Sequence, residues 1–284
     1  MIKTLTALST GLSNLVNQFT GATGQPQTPP AATPWLPDLC VTCLAPHAVQ
    51  GLCLGCRRDL PVNATACFRC GLPLTLAAPG PGLICGECLK QPPAFERAFI
   101  PWCYQFPLDR MISRYKYQGQ RQFARPLLAD FASQVQAMLT DEPARRPHLL
   151  VAAPMHRKRQ RKRGFNQAAD IAEAVSLATG IPWTDRLLRR TRATRSQSGL
   201  DRRQRLSNLR GVFEVGGRIP GHVALVDDVV TTGATARILA SLLRRHGAHT
   251  VEIWALARTP AQSSRSVQPF SNVTGNGQAR GQPR

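Results

Sequence analysis

Two adjacent carboxylates and the threonine-rich turn after them form the most chemically informative stretch of this sequence. Asp227 and Asp228 follow the apolar run 223–226, and the turn after them holds Thr231, Thr232, Gly233, Ala234 and Thr235. Threonine hydroxyls and free amides at a helix N-terminus favour a phosphate dianion, and a glycine lets the backbone approach that anion closely. Two neighbouring carboxylates can accept hydrogen bonds from adjacent sugar hydroxyls and help hold a metal-bound diphosphate. The stretch therefore predicts a site for a phosphorylated ribose.

The same turn has a simpler explanation, because Asp, Thr and Gly are also favoured where a strand passes into a helix. Adjacent acids at the end of a buried strand repel each other, however, and would be unusual as caps alone. The rival phosphate motifs Gly-x-x-x-x-Gly-Lys-Ser/Thr and Gly-x-Gly-x-x-Gly after a strand do not occur in the sequence. We therefore prefer the phosphate interpretation.

Eight of the nine cysteines lie in four Cys-x-x-Cys pairs within residues 40–88. Two such pairs complete a closed tetrahedral zinc site without room for a reactive water. The pattern predicts two structural, non-catalytic zinc ions, with successive pairing favoured and interleaved pairing left open. The predicted ligands are Cys40, Cys43, Cys53, Cys56, Cys67, Cys70, Cys85 and Cys88.

A redox dithiol is the alternative for these cysteines, but it expects one pair before a helix rather than four pairs. Crowded thiol pairs suit a reducing compartment, so we expect a cytoplasmic protein. Only the pair ending at Cys70 is followed directly by the glycine that zinc knuckles often use. The first zinc site therefore lacks this knuckle glycine in both of its pairs.

Two strongly basic segments accompany these motifs in a chain of net charge +20. Residues 157–163 carry six basic side chains, and residues 186–211 carry nine arginines and no lysine. This charge favours polyanionic partners such as nucleic acid or a multiply phosphorylated ligand. A basic run is ordinarily a solvated surface, but residues 157–163 directly follow a buried strand. Residues 186–211 can close over a ligand or follow a nucleic-acid backbone, and the sequence does not separate these roles.

These side chains need a scaffold, and short apolar strands alternate with amphipathic helices between residues 93 and 261. We expect strands at 98–106, 149–154, 223–226 and 251–257, and helices at 108–117, 123–139, 166–179 and 234–246. Apolar runs without alternation are typical of strands buried on both faces. The predicted fold class is α/β, a mostly parallel sheet with helices on both faces and ligands at its carboxyl edge.

The remaining chain divides by composition. Residues 1–38 predict a flexible extension and linker, 39–92 a double zinc-ribbon module, 93–261 the α/β domain and 262–284 a disordered tail. No apolar run reaches the roughly 18 residues of a membrane-spanning helix, so no membrane span is expected.

Three motifs together resemble the ComF competence protein family. They are the Cys-x-x-Cys pairs, the basic run leading into Arg-Gly-Phe-Asn-Gln at 163–167, and Val-Asp-Asp-Val-Val-Thr-Thr-Gly-Ala-Thr at 226–235. The last motif also resembles the signature with which type I phosphoribosyltransferases bind 5-phosphoribosyl-1-pyrophosphate (PRPP). The resemblance covers roughly residues 40–258 and implies a phosphoribosyltransferase-like domain behind a zinc ribbon, associated with uptake of single-stranded DNA in naturally transformable bacteria.

The resemblance also implies roles for individual residues. Asp227 and Asp228 would hold the ribose, and the turn after the strand at 149–154 would hold a Mg²⁺-bound diphosphate through Ala153, Pro154 and Arg157. Lys116 and Tyr117 resemble a short family element to which we can give no chemical role.

Two functions stay open. In the first, the chain would be an enzyme that transfers the phosphoribosyl group to an acceptor. A purine, a pyrimidine, ammonia and an amine all remain open as that acceptor. Alternatively, it is a non-catalytic module that binds single-stranded DNA through its arginine-rich segments or senses PRPP, together with DNA-processing proteins. Only 6% of residues are aromatic, with Phe165 and Trp183 the main candidates for base stacking, so DNA contacts are expected mainly with phosphates.

Overall fold

The computed structural model describes residues 39–75, 82–191 and 211–261. The expected N-terminal extension, the C-terminal tail and most of the second arginine-rich segment lie outside these ranges. All described residues belong to one compact unit. The boundary expected between residues 92 and 93 therefore stays a prediction.

A six-stranded parallel sheet forms the centre of the described structure, with strand order β1-β8-β7-β3-β4 and with β2 pairing beside β1 on β8. A separate antiparallel pair joins β5 and β6. The strands are β1 Arg97–Phe99, β2 Trp102–Cys103, β3 Leu149–Ala152, β4 Trp183–Thr184, β5 Leu188–Arg190, β6 Phe213–Val215, β7 His222–Val230 and β8 Thr250–Arg258.

The central strands are covered on both faces. Eight consecutive residues of β8 are buried, and consecutive strand residues point to opposite faces of a sheet. Helices supply cover, since α6 packs on β3 and β7 while α7 packs on β7 and β8. This arrangement confirms the predicted α/β fold class.

Seven α-helices accompany the strands in the described ranges. They are α1 Leu54–Arg58, α2 Gly86–Lys90, α3 Leu108–Gln118, α4 Arg125–Asp141, α5 Arg157–Arg163, α6 Gln167–Thr179 and α7 Ala234–Arg245. The start of α6 shows why the sequence folds here, because the Asn166 side chain accepts a hydrogen bond from the Ala168 amide. The helix ends at Gly180 in the left-handed conformation.

Three of the differences between the structure and the expected elements concern the strands expected at 98–106 and 223–226 and the basic run at 157–163. The strand expected at 98–106 is the two short strands β1 and β2, interrupted at Pro101, which has no amide to donate. The strand expected at 223–226 continues through both acids to Val230, because β8 supplies backbone partners along its length. The basic run at 157–163, expected as a turn, forms helix α5.

The two cysteine-rich segments relate differently to the core. Cys40, Ala48 and Leu52 belong to the same hydrophobic core as the sheet. Cys67, Cys85 and Cys88 form a small core of their own, with Leu72, Leu74 and Ile84 against it. Among the helices of the described ranges, none has both the length and the apolar character to cross a membrane.

Candidate functional site

The two loops expected to hold phosphate groups lie side by side at the carboxyl edge of the sheet. Strands β3 and β7 are parallel neighbours, with Ala152 opposite Val226. The Ala153 amide donates to the Val226 carbonyl at 2.8 Å. Ala153 and Pro154 therefore leave the sheet at the level where Asp227 follows on the neighbouring strand, so the structure brings the two predicted motifs together.

The acid pair is partly exposed and is organised by its own backbone. The Asp228 amide donates to Asp227 Oδ1 at 2.9 Å, and the Val229 amide donates to Asp228 Oδ1 at 2.6 Å. Burial, together with the neighbouring charge of Asp228, raises the pKa of Asp227 to about 7. Near neutral pH, Asp227 can therefore hold a proton, and the neutral carboxyl is not repelled by the charge of Asp228.

Lys116 on helix α3 pairs with this site, a role that was not predicted from the sequence. Its Nζ lies 2.9 Å from Asp228 Oδ2, and the two side chains are only 12% and 14% exposed. An acid pair at a strand end is stabilised by a nearby cation, so the pair itself was a reason to predict a basic partner. Only the fold shows that α3 supplies the cation.

The threonine turn leads directly into helix α7. Gly233 is the N-cap residue of this 12-residue helix, has φ +74° and makes no side-chain capping bond. A side chain would be strained at that φ. Thr231 is exposed and Thr232 and Thr235 are partly exposed, while the Ala234 side chain is buried and can offer only its amide. These features suit an anion at the positive end of the helix.

Asn166 fixes the loop after β3. Its Nδ2 donates to the Ala153 carbonyl at 3.2 Å while its Oδ1 caps α6. Between them, His156 is the N-cap residue of helix α5, and its Nδ1 accepts a hydrogen bond from the Lys158 amide at 3.2 Å. Arg157 is exposed at the start of α5, so its predicted contact with diphosphate requires the side chain to reach in from the surface.

The ring of Phe165 already has protein partners. It stacks on Tyr115 with centroids 5.1 Å apart, and the Arg121 guanidinium lies 4.8 Å from its centroid. Asp170 ties the same group together by accepting the Tyr115 hydroxyl at 2.6 Å and Arg121 at 2.8 Å. Phe165 thus anchors the segment after α5 instead of standing free for base stacking.

The cysteines form two four-thiol clusters by successive pairing of the Cys-x-x-Cys pairs. The interleaved pairing is not the one that the structure shows. In each cluster the four Sγ atoms lie within 4.8 Å of one another; the members are Cys40, Cys43, Cys53 and Cys56, and Cys67, Cys70, Cys85 and Cys88. Tetrahedral zinc with bonds of about 2.3 Å needs sulfur atoms about 3.8 Å apart. The distance is 3.7 Å between Cys43 and Cys53 and between Cys70 and Cys85. The thiols therefore fit structural zinc.

Comparison with known proteins agrees with the geometry of the cysteine clusters and identifies sequence relatives. A double zinc ribbon domain model matches residues 33–91. The chain is 34% identical over 227 residues to the DNA utilization protein YhgH of Salmonella typhimurium, covering 79% of this chain and 98% of that protein. It is 33% identical to Competence protein F of Haemophilus influenzae, covering 74% and 92%.

Among solved structures, a hypoxanthine phosphoribosyltransferase from Staphylococcus aureus aligns with 13% identity and a TM-score of 0.35, over 50% of this chain and 69% of that one. The family assignment rests on the sequence relatives, whose length this chain covers almost completely. On that basis, the chain belongs to the ComF competence protein family.

Proposed function

We propose that this protein binds PRPP at the carboxyl edge of its sheet, as a phosphoribosyltransferase-type member of its family. One observation carries the proposal: Asp227 and Asp228 lie on the strand that leads into the uncapped start of α7, with the Ala153 loop beside them. One phosphorylated sugar would use all three features at this edge of the sheet. Its phosphate would bind at the start of α7, its diol at the two aspartates and its diphosphate at the Ala153 loop.

In this proposal each part of the ligand meets a different group. The 5-phosphate binds the amides and hydroxyls of residues 231–235, the ribose hydroxyls donate to the two aspartates, and the diphosphate lies at Ala153 and Pro154 with Arg157 reaching it from α5. Asp227 and Asp228 would help hold Mg²⁺ together with the diphosphate, and the ion would neutralise part of the diphosphate charge. Lys116 holds Asp228 through Oδ2 and the Val229 amide holds Oδ1, and each carboxylate oxygen keeps a second lone pair that a ribose hydroxyl can use.

A transferase reaction follows if an acceptor nucleophile attacks the anomeric carbon. The carbon–oxygen bond to diphosphate breaks as the new bond forms, and diphosphate leaves with the bonding electrons. The protein would contribute mainly positioning and positive charge on the leaving group. The acceptor stays open.

A role in DNA uptake is the second part of the proposal. Its support is the names of the relatives, which refer to competence and DNA utilization, and the exposed basic side chains of α5. Single-stranded DNA would bind through its phosphates, together with DNA-processing partners on the cytoplasmic side of the membrane. The alternative is a non-catalytic module that binds DNA or senses PRPP on the same fold.

The first test is calorimetric titration of the zinc-loaded protein with PRPP and Mg²⁺. The double variant Asp227→Asn/Asp228→Asn is expected to lose about 100-fold or more in affinity, since two acceptors of the ribose hydroxyls become poorer and can no longer aid the metal. The matched control is Asp141→Asn/Glu173→Gln, which removes the same charge at exposed positions on α4 and α6. Equal affinity of wild type and the aspartate variant would rule out this site.

Diphosphate release then separates the two functional classes. Release that depends on an added purine, pyrimidine or amine identifies an enzyme and its acceptor class. PRPP binding without release supports the sensing or DNA-handling alternative.

The DNA proposal is tested by fluorescence anisotropy with single-stranded DNA at about 50 and 200 mM salt. Lys158→Gln/Arg161→Gln/Lys162→Gln should weaken binding and flatten its salt dependence, because each lost phosphate contact lowers the logarithmic slope by about 0.7. The control is Arg58→Gln/Lys90→Gln/Arg245→Gln, which removes three exposed charges elsewhere. Binding that ignores salt, or equal loss in both variants, would contradict a specific role for α5.

A further inference from the structure

Arg258, at the end of β8, is a buried cation that the proposed chemistry does not use. It is 5% exposed, and its guanidinium Nη1 donates to the carbonyls of Val230 at 3.0 Å and Thr259 at 2.9 Å, and also to that of Thr231. Its Nε donates to the Cys70 carbonyl at 3.2 Å. One side chain therefore joins the end of β7, the threonine turn and a knuckle of the second cysteine cluster.

Arg237, in the first turns of α7, makes a second connection to the same cluster. Its Nη1 donates to the Gln91 carbonyl at 2.9 Å, and its Nη2 lies 3.3 Å from Glu87 Oε1 and 3.7 Å from Cys88 Sγ. Helix α2, which begins at Cys85 and contains Cys88, is thereby held against the helix whose N-terminus would meet phosphate.

Little space separates the second cluster from the threonine turn. The gap lined by Cys70, Phe95, Thr232, Gly233, Arg237 and Arg258 encloses about 10 Å³, roughly the room for one water molecule. Close packing transmits displacement instead of absorbing it. A shift of the Cys70 knuckle would therefore move the turn.

The first cluster makes its polar contacts elsewhere. Arg57 pairs with Asp130 on α4, and the Thr42 hydroxyl lies 3.9 Å from the sulfur of Met111 on α3. Within the described ranges, no hydrogen bond or ion pair recorded for residues 39–58 reaches the threonine turn. The two clusters therefore differ in what they can position.

We propose that Arg258 is a positioning residue for the phosphate-binding turn, and that through it the second zinc cluster, rather than the first, sets the geometry of that turn. By holding the carbonyls of Val230 and Thr231, Arg258 fixes the direction in which the following amides point. The effect of Arg258 on PRPP affinity rests on the proposed function, whereas its effect on the turn itself does not.

The test uses full-length, zinc-loaded protein and compares Arg258→Met, Arg258→Lys and the control Arg57→Met. Amide hydrogen exchange of residues 229–236 is measured by mass spectrometry, alongside zinc content and PRPP affinity. Arg258→Met is expected to speed exchange in the turn about tenfold and to weaken PRPP about tenfold, which corresponds to about 1.4 kcal/mol each. Arg258→Lys should restore part of both, because it keeps a buried donor. Arg57→Met should leave the turn and PRPP affinity unchanged.

Arg237→Met provides an independent arm if Arg258→Met fails to fold, since Arg237 lies nearer the surface. It should speed exchange of residues 229–236 while zinc content stays at two ions per chain. Unchanged exchange of the turn in the folded Arg258 and Arg237 variants overturns the proposal, as would an equal change in Arg57→Met. Wild-type protein that binds no PRPP would instead overturn the proposed function and leave the exchange result standing.

Discussion

The two four-cysteine clusters share one backbone design. In the first, the Leu44 amide donates to the Cys40 carbonyl at 2.9 Å and the Cys40 amide to the Ala45 carbonyl at 2.8 Å. In the second, the Gly71 and Cys67 amides make the corresponding bonds at 2.7 and 2.8 Å. Leu44 and Gly71 have nearly the same positive φ, 63° and 66°. The first knuckle therefore reaches the glycine conformation with a leucine.

Their surroundings differ. The first cluster inserts Cys40, Ala48 and Leu52 into the main core, so it is part of what holds the α/β fold together. The second cluster keeps a small core of its own, contacts the main core at its edge through Cys70, and reaches the threonine turn through polar side chains. The shared Cys-x-x-Cys spacing within each pair thus fixes the metal site, while the residues around it decide whether zinc supports the core or the candidate ligand site.

Removing ligands from one cluster at a time is the strongest test of this contrast. Cys40→Ser/Cys43→Ser and Cys85→Ser/Cys88→Ser should each lose one zinc ion, and structural zinc contributes on the order of 10 kcal/mol to a zinc-finger-sized unit. We expect the first variant to lose more global stability in urea, because its cluster shares the main core. The second should retain more stability but lose PRPP affinity. Indistinguishable losses in the two variants would break the contrast.

Gly71→Ala is expected to lower the free energy of unfolding by about 3 kcal/mol. The left-handed φ accounts for about 1 to 2 kcal/mol, and overpacking adds a similar amount, because a Cβ would lie 2.8 Å from Ile100 Cδ1. Gly119→Ala is the matched control, since Gly119 has the same φ but nothing within 4 Å of the added Cβ. Urea denaturation of both variants separates the two causes, and equal costs would show that Ile100 yields freely.

Arg57→Met should cost about 2 kcal/mol near neutral pH, because it leaves Asp130 without its cation at 9% exposure. Burial raises the pKa of Asp130, and Arg57 opposes that rise. A folded-state pKa above the unfolded one means that the folded protein holds the extra proton, so stability falls as pH rises through that range. Removing Arg57 raises this pKa further and widens the range.

The cost of Arg57→Met should therefore be small below about pH 4, the ordinary range of an aspartate, and grow as pH increases. Denaturation curves at several pH values measure it, and Arg57→Met/Asp130→Asn should abolish the pH dependence. A cost that does not change with pH would mean that Asp130 is not the group responsible. PRPP affinity should stay unchanged, in contrast to the Arg258 variants.

The sequence predicted the two cysteine clusters and the fold class, because both depend on short-range patterns. The eight thiols and the acids before a threonine turn are local patterns, and the strand–helix alternation gave the fold class. The pairing of Lys116 with Asp228 and the contacts of Arg258 were not predictable, since they join elements far apart in the chain. The helix at 157–163 was predictable from its composition, because Arg, Lys and Gln are good helix formers. The charge of the run was interpreted instead as a sign of anion binding.

Leu44→Gly should stabilise the protein slightly, by about 0.5 to 1 kcal/mol. Relief of the positive φ gains about 1 to 2 kcal/mol, and the greater freedom of glycine in the unfolded chain takes back about 0.4 to 1 kcal/mol. Leu44 is 70% exposed, so little apolar burial is lost. Leu89→Gly, at an exposed helical position in α2, should instead destabilise by about 1 kcal/mol. Urea denaturation measures both variants, and opposite signs of the two changes in unfolding free energy would show that the knuckles at Leu44 and Gly71 share one conformation. Destabilisation by both variants would mean that the Leu44 side chain makes stabilising contacts that the knuckle at Gly71 lacks.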